Sequence, residues 1–151
     1  MTSHREGIFI KGLWVDKSPL PEDIPHVDEV GLTSAPLASM SFFFATFCKD
    51  YSEDFMLCKK DNPDPKACLK EGRKVTRCAI DLIQKLKDNC EETWTKHWQC
   101  LDMNNQHFWQ CRKEEAQLND CVFKKLGLTK TIPETPEDQI PIHLKPNPLF
   151  K

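Results

Sequence analysis

The residues best equipped for chemistry in this sequence are its eight cysteines: Cys48, Cys58, Cys68, Cys78, Cys90, Cys100, Cys111 and Cys121. Cysteine sulfurs ligate zinc, exchange disulfides, carry copper or close structural cross-links, and spacing discriminates among these roles. Structural zinc takes two thiolates from one short loop, at spacings such as C-x2-4-C. Thiol–disulfide catalysis uses a low-pKa cysteine in a compact C-x-x-C pair. Copper delivery calls for adjacent or near-adjacent soft ligands. Consecutive separations here are 10, 10, 10, 12, 10, 11 and 10, too wide for any of the three. An even count with none left over points to disulfides, which persist in oxidising compartments. Other reactive patterns fail as well: there is no Gly-rich phosphate loop, no G-x-S-x-G and no H-E-x-x-H. Glu91, Glu92, Glu114 and Glu115 sit among lysines and read as solvated helix faces. Trp94, Trp98, Phe108 and Trp109 read as core or interface. No catalytic residue, metal ligand or cofactor is expected, and the chain does not read as an enzyme.

The elements that must position these sulfurs follow from the ten-residue step. Ten is three plus seven, so a cysteine at a heptad a position puts the next at d, on the same seam about 15 Å along the axis. Two such helices, antiparallel and roughly 8–10 Å apart, bring their cysteines together in nested rungs. The geometry favours Cys58–Cys68 and Cys48–Cys78 in one hairpin, and Cys100–Cys111 and Cys90–Cys121 in a second. The doubled arrangement is an internal repeat. Seven residues after each leading cysteine stand Phe55, Val75, His97 and Leu118, which would fill the seams. His97 reads as a half-buried aromatic at the hairpin edge rather than as a ligand.

Punctuation divides the chain. Residues 1–33 hold Pro19, Pro21 and Pro25 and read as an extended N-terminal arm. Residues 34–88 form the first hairpin with a preceding apolar helix. Residues 89–127 form the second hairpin, and residues 128–151, with Pro133, Pro136, Pro141, Pro146 and Pro148, form an extended Pro-rich tail. Ser34 before Ala35-Pro36, Ser52, Asp64-Pro65 and Asn89 are the expected helix starts. Val75, Cys78, Ala79, Leu82, Ile83 and Leu86 recur at helical steps. Asp102 to Asn105 reads as a turn, and Gly127 as the residue just past the last helix. No convincing period-two strand is found. The expected fold is all-α: two tandem disulfide-stapled helical hairpins.

With 151 residues, 39% of them hydrophobic, the core is thin and in need of staples. A net charge of −2 excludes a nucleic-acid binder held by bulk positive charge. No apolar run is long enough to be a transmembrane helix. The first twenty residues mix Arg5, Glu6, Lys11, Asp16 and Lys17 with scattered apolar side chains, unlike a secretory or transit leader. An oxidising compartment reached without either leader is the expectation.

A doubled twin Cys-x9-Cys array resembles the coiled-coil-helix–coiled-coil-helix proteins of the mitochondrial intermembrane space. Further blocks are Val27-Asp28-Glu29-Val30, Phe55-Met56-Leu57-Cys58, Asp64-Pro65, Cys68-Leu69 with Glu71-Gly72, and Cys78-Ala79 with Asp81. Trp98-x-Cys100 with Asp102, Cys111-Arg112-Lys113 and Leu126-Gly127 continue the series. Over about residues 27–127 these resemble the PGIV or 19-kDa accessory-subunit family of respiratory complex I, from its alpha subcomplex. The FFF run at 42–44 and His97 depart from that pattern. The resemblance implies a non-catalytic subunit of NADH:ubiquinone oxidoreductase, peripheral on the inner membrane, that stabilises the membrane arm from the intermembrane-space side. It implies no flavin, iron–sulfur cluster or quinone. Implied partners are other complex I membrane-arm subunits and, transiently, an import oxidoreductase that closes the disulfides. The alternative is a free intermembrane-space assembly factor or metal-handling chaperone of the same class. Apolar anchors in the extended segments and the FFF helix mark Phe9, Trp14, Phe42, Phe43, Phe44 and Phe150 as candidate partner contacts.

Overall fold

The longest element is dictated by one unbroken stripe. Cys78, Ala79, Leu82, Ile83, Leu86, Cys90, Trp94, His97 and Leu101 recur at three- and four-residue steps and are all buried. No proline or glycine interrupts the sequence between Arg73 and Met103. In the computed structural model, which describes residues 8–10, 13–15, 22, 29–64 and 66–145, this stripe runs along α3 (Leu69–Met103). It is 35 residues long, or about 50 Å at 1.5 Å per residue. The helix expected to start at Asn89, with that residue as its cap, starts one residue later, because α3 is two helical segments joined across a break at Cys90. Asn89 instead donates its side-chain amide to the Lys85 carbonyl at 2.9 Å, one turn back. The chain marks the junction with a kink at Cys90, whose φ of −133° and ψ of 25° leave the helical region.

Three further helices pack along this rod: α1 (Ser34–Phe47), α2 (Lys49–Asp61) and α4 (Arg112–Lys125). Their starts differ from the expected ones. Thr33, not Ser34, is the N-cap of α1, and Ser34 Oγ accepts a hydrogen bond from Gln106 Nε2 at 2.7 Å. α2 begins directly after Cys48 rather than at Ser52. Asp64 builds a turn instead of capping a helix. Its carboxylate accepts from the Lys66 amide at 3.0 Å and its carbonyl from the Ala67 amide at 3.1 Å, which delays α3 to Leu69. The tip of the second hairpin runs through Asn105 and Gln106, at φ of 50° and 59°. A 3-10 turn at Phe108–Gln110 then leads into α4. Gly127, at φ of 63°, lies just past α4, in the left-handed conformation that glycine adopts without a Cβ penalty.

The core gathers Met40 and Phe43 from α1, Leu82, Ile83, Leu86, Cys90 and Trp94 from α3, and Leu118 and Val122 from α4. Phe43 and Phe123 meet edge to face at 6.2 Å, joining α1 to α4. α1 therefore packs with the second hairpin, although it precedes the first in sequence. α2 contributes no buried residue and rests on the first half of α3. Among the described residues the fold is all-α apart from one antiparallel pair in the N-terminal arm, β1 (Ile8–Ile10) and β2 (Leu13–Val15), with Phe9 opposite Trp14. That three-residue pairing differs from the expectation of no strand, and strands so short leave little room for a period to show.

A truncation series tests where the core lies. Phe43→Ala is expected to lower the unfolding free energy of the oxidised chain by about 3–5 kcal/mol in urea denaturation. Leu57→Ala, on the exposed side of α2, is expected to change it by less than about 0.5 kcal/mol.

Candidate functional site

Each disulfide joins a helix entry to a helix body. Cys48–Cys78 and Cys58–Cys68 close the first hairpin, and Cys90–Cys121 and Cys100–Cys111 the second, with Cα–Cα distances of 5.9–6.0 Å. The leading cysteine of each motif sits at a bend. Cys48, Cys68 and Cys111 have φ between −104° and −109° and ψ between 22° and 24°, and Cys90 lies nearby at −133° and 25°. All four are buried. Three of these carbonyls accept the first amide bond of the helix that follows: Ser52 N–H to Cys48 at 3.0 Å, Gly72 to Cys68 at 3.0 Å and Glu115 to Cys111 at 2.9 Å. Each such residue turns the chain, starts a helix and anchors it covalently to a neighbour. Asn104 Nδ2 donates to the Cys100 carbonyl at 2.8 Å, and Lys125 Nζ to the Asn89 carbonyl at 2.7 Å, which tie down the two ends of the second ladder.

With every sulfur in a disulfide, no thiolate is available to ligate a metal or attack a substrate. Among the described residues, no group of three or more His, Cys, Asp or Glu is placed to hold a metal ion. An open groove between α2 and α3, lined by Asp50, Tyr51, Lys74, Arg77 and Asp81 among others, mixes cations and carboxylates.

A second constellation lies where α1, α3, α4 and the tail meet, and it corrects two sequence readings. Glu115, read as part of a solvated helix face, is 1% exposed. Its carboxylate pairs with the Arg112 guanidinium and, at 2.6 Å, with Lys130 Nζ. The Lys130 side chain is 2% exposed and enters from the tail. Its ammonium lies 4.7 Å from the Phe42 ring centroid and 5.7 Å from that of Phe43, within cation–π range. Burial pushes the Lys130 pKa down, while the hydrogen bond and charge of Glu115 pull it back up. His97, read as a half-buried edge aromatic, is also 1% exposed. Its Nδ1 shares a hydrogen bond with Ser39 Oγ at 2.7 Å, and its ring meets Phe108 at 5.7 Å. Burial drives its pKa from 6.5 down to about 4; Glu115 opposes this, and Lys130 and Arg112 add to it. His143, further along the tail, is pushed down by burial and then by Lys130. The tail from Leu128 to Leu144 thus folds back onto its own chain, with Leu128 against the core and a 3-10 turn at Ile142–Leu144 beside α4.

The candidate partner contacts fare unequally. Phe43 is 1% exposed and spends its surface inside the core. Phe42 stacks edge to face on Phe108 at 5.8 Å, and Phe44 packs partly against the core, so each offers only part of its surface. The side chains of Phe9 and Trp14, and the whole of Phe150, lie outside the described residues. Apolar surface is instead exposed at Tyr51, Met56 and Leu57 on α2, at Met103 and Trp109 near the second tip, and at Ile140, Ile142 and Leu144 in the tail. The signal for Met56 and Leu57 was present in the sequence: neither lies on the cysteine-bearing seam of α2.

Two stapled hairpins sharing one helix, with the α1–α3–α4 core beside them, define a doubled twin Cys-x9-Cys protein of the coiled-coil-helix–coiled-coil-helix class. No family model matches the chain. The NADH-ubiquinone oxidoreductase 20.8 kDa subunit of Neurospora crassa is 49% identical over 144 residues, spanning 94% of this chain and 79% of its own length. NADH dehydrogenase (ubiquinone) 1 alpha subcomplex subunits 8-B and 8-A of Arabidopsis thaliana are each 34% identical over 93 residues. Those matches span 61% of this chain and 88% and 86% of the two relatives. The chain belongs to this family of complex I subunits, that of alpha subcomplex subunit 8.

Both buried groups yield tests. Well above pH 6.5 His97 is neutral in the folded and unfolded chains alike. As pH falls from 6.5 to about 4, the unfolded chain takes up a proton that the folded one refuses, so stability is lost across that window. The loss amounts to about 3 kcal/mol and levels off below it. His97→Gln is expected to remove this component from urea-unfolding profiles measured against pH; parallel profiles would exclude it. Lys130→Met, which strips Glu115 of one of its two cations, is expected to cost about 2–3 kcal/mol. In a double-mutant cycle with Glu115→Gln, a coupling of about 1–3 kcal/mol is expected from the same denaturation measurement.

Proposed function

We propose that this chain is a non-catalytic structural accessory subunit of mitochondrial NADH:ubiquinone oxidoreductase, peripheral on the inner membrane, that stabilises the membrane arm from the intermembrane-space side. The observation that carries the reading is the 49% identity to the 20.8 kDa subunit over nearly the whole chain. The four disulfides support the compartment, because such bridges persist where the surroundings are oxidising. An intermembrane-space oxidoreductase that closes them during import is the transient partner this reading requires. Among the described residues, no helix is long and apolar enough to cross a membrane, and attachment would run through protein surfaces such as the exposed faces of α2 and the tail. The role is mechanical: a cross-linked clamp presents fixed apolar contacts to neighbouring subunits without ordering cost at binding.

Native electrophoresis of mitochondria carrying the tagged chain tests this. The tag is expected to migrate with the band that has in-gel NADH dehydrogenase activity, and depletion of the chain to diminish that band. A tag found only among small soluble proteins would leave the free assembly factor or metal-handling chaperone as the better reading.

A further inference from the structure

The two hairpins share the Cys-x9-Cys spacing along each helix but are held by different forces. α4 places Glu115, Leu118, Asn119 and Val122 among the buried residues, joins the core cluster, and is locked by Lys130. α2 places none. Its Met56 and Leu57 are 65% and 61% exposed. Its Phe55 ring is half-buried, and a Cβ at Gly72 would stand 3.4 Å from it. Tyr51 is exposed, and the Ser52 hydroxyl is buried with no hydrogen-bond partner. Helices of about 12–15 residues are marginal alone in water, and packing of an apolar face supplies most helical stability in proteins. α2 has 13 residues and almost no such face, so its covalent ties must do what burial does for α4.

We propose that α2 is a redox-released element: it stays docked on α3 only while Cys48–Cys78 and Cys58–Cys68 are closed, and the α1–α3–α4 core survives its release. The entry point is Cys58, which is half-buried, whereas Cys48, Cys68 and Cys78 are buried. A dithiol reductant attacks Cys58 Sγ as thiolate, the S–S bond breaks, and Cys68 leaves as thiolate and takes up a proton. The second thiol of the reductant then attacks the mixed disulfide. It frees Cys58 as a thiol and leaves the reductant as its cyclic disulfide, with two electrons and two protons delivered to the bridge. Loosening the end of α2 exposes Cys48–Cys78 to the same two steps.

Hydrogen exchange read by mass spectrometry on the full chain tests the inference. The variants are Cys48→Ser/Cys58→Ser/Cys68→Ser/Cys78→Ser and its counterpart Cys90→Ser/Cys100→Ser/Cys111→Ser/Cys121→Ser. In the first, amides of residues 49–61 are expected to exchange at least about tenfold faster than in the oxidised parent, while 79–101 and 112–125 stay within about threefold. In the second, 112–125 are expected to remain more protected than 49–61 are in the first. Unchanged protection over 49–61, uniform loss along the chain, or equal loss in both hairpins would overturn the proposal. Graded reduction of the unmodified protein by dithiothreitol, with alkylation of freed thiols, gives a reading independent of the substitutions. A species alkylated only at Cys58 and Cys68 is expected first, then one alkylated at all four cysteines of that hairpin. Conversion straight from fully oxidised to fully reduced chain would count against it.

Discussion

The structure depends on what happens at four buried cysteines. At Cys48, Cys68, Cys90 and Cys111 the backbone leaves the helical region, and the sulfur reaches across to a cysteine in the body of another helical segment. A bend in a helix weakens its own ladder, and a cross-link alone does not fix direction. Combined in one residue, the bend aims the helix and the bridge holds the aim. At Cys48, Cys68 and Cys111 the carbonyl also receives the first amide of the new helix, so the turn leaves that acceptor satisfied. A chain with so small an apolar fraction can therefore keep well-defined helix directions with little core beneath some of them.

From that constraint the rest divides. Where α1, the second half of α3 and α4 converge, apolar side chains close around Phe43 and Leu86, and the bridges reinforce an interior that already exists. Where α2 lies on the first half of α3, the bridges substitute for an interior. The buried Glu115–Lys130 pair belongs to the first region. It brings the tail back over the junction of α1 and α4, with the Phe42 and Phe43 rings facing the ammonium. Such a pair adds less to stability than its short distance suggests, because desolvating two charges offsets most of their attraction. It does fix where the tail must go, since no other described position offers Lys130 a buried carboxylate.

Legibility in the sequence followed the range of the interactions. The rungs were readable because a ten-residue period is local and because antiparallel packing leaves few ways to pair such cysteines. Gly127 was readable for the same reason, and the turn read at Asp102 to Asn105 falls two residues later, since α3 runs through Met103. The course of α1 was not: nothing within residues 34–47 says that Phe43 will meet Phe123 eighty residues later. Glu115 and Lys130 were illegible for a further reason. Each is a common surface residue type, and only their joint burial, decided by the fold-back of the tail, removes them from water. His97 carried a partial signal, since its place on the seam announced an interior position. Its depth depended on α1 covering that side of α3 and bringing Ser39 to its ring. Asn89, read as the cap of a second helix, stands one residue before the break at Cys90, so local punctuation located that junction to within a residue.

One consequence follows from the length of α3. The loop closing the first hairpin lies at one end of this helix and the loop closing the second at the other, so the helix acts as a ruler separating two tips. Its 35 residues set that separation at up to about 50 Å, and its helical pitch together with the kink at Cys90 sets the angle between the faces the tips present. One residue added within it would lengthen the ruler by only about 1.5 Å but turn one tip through about 100° relative to the other. The length of α3 is thus far more tightly constrained by bearing than by reach.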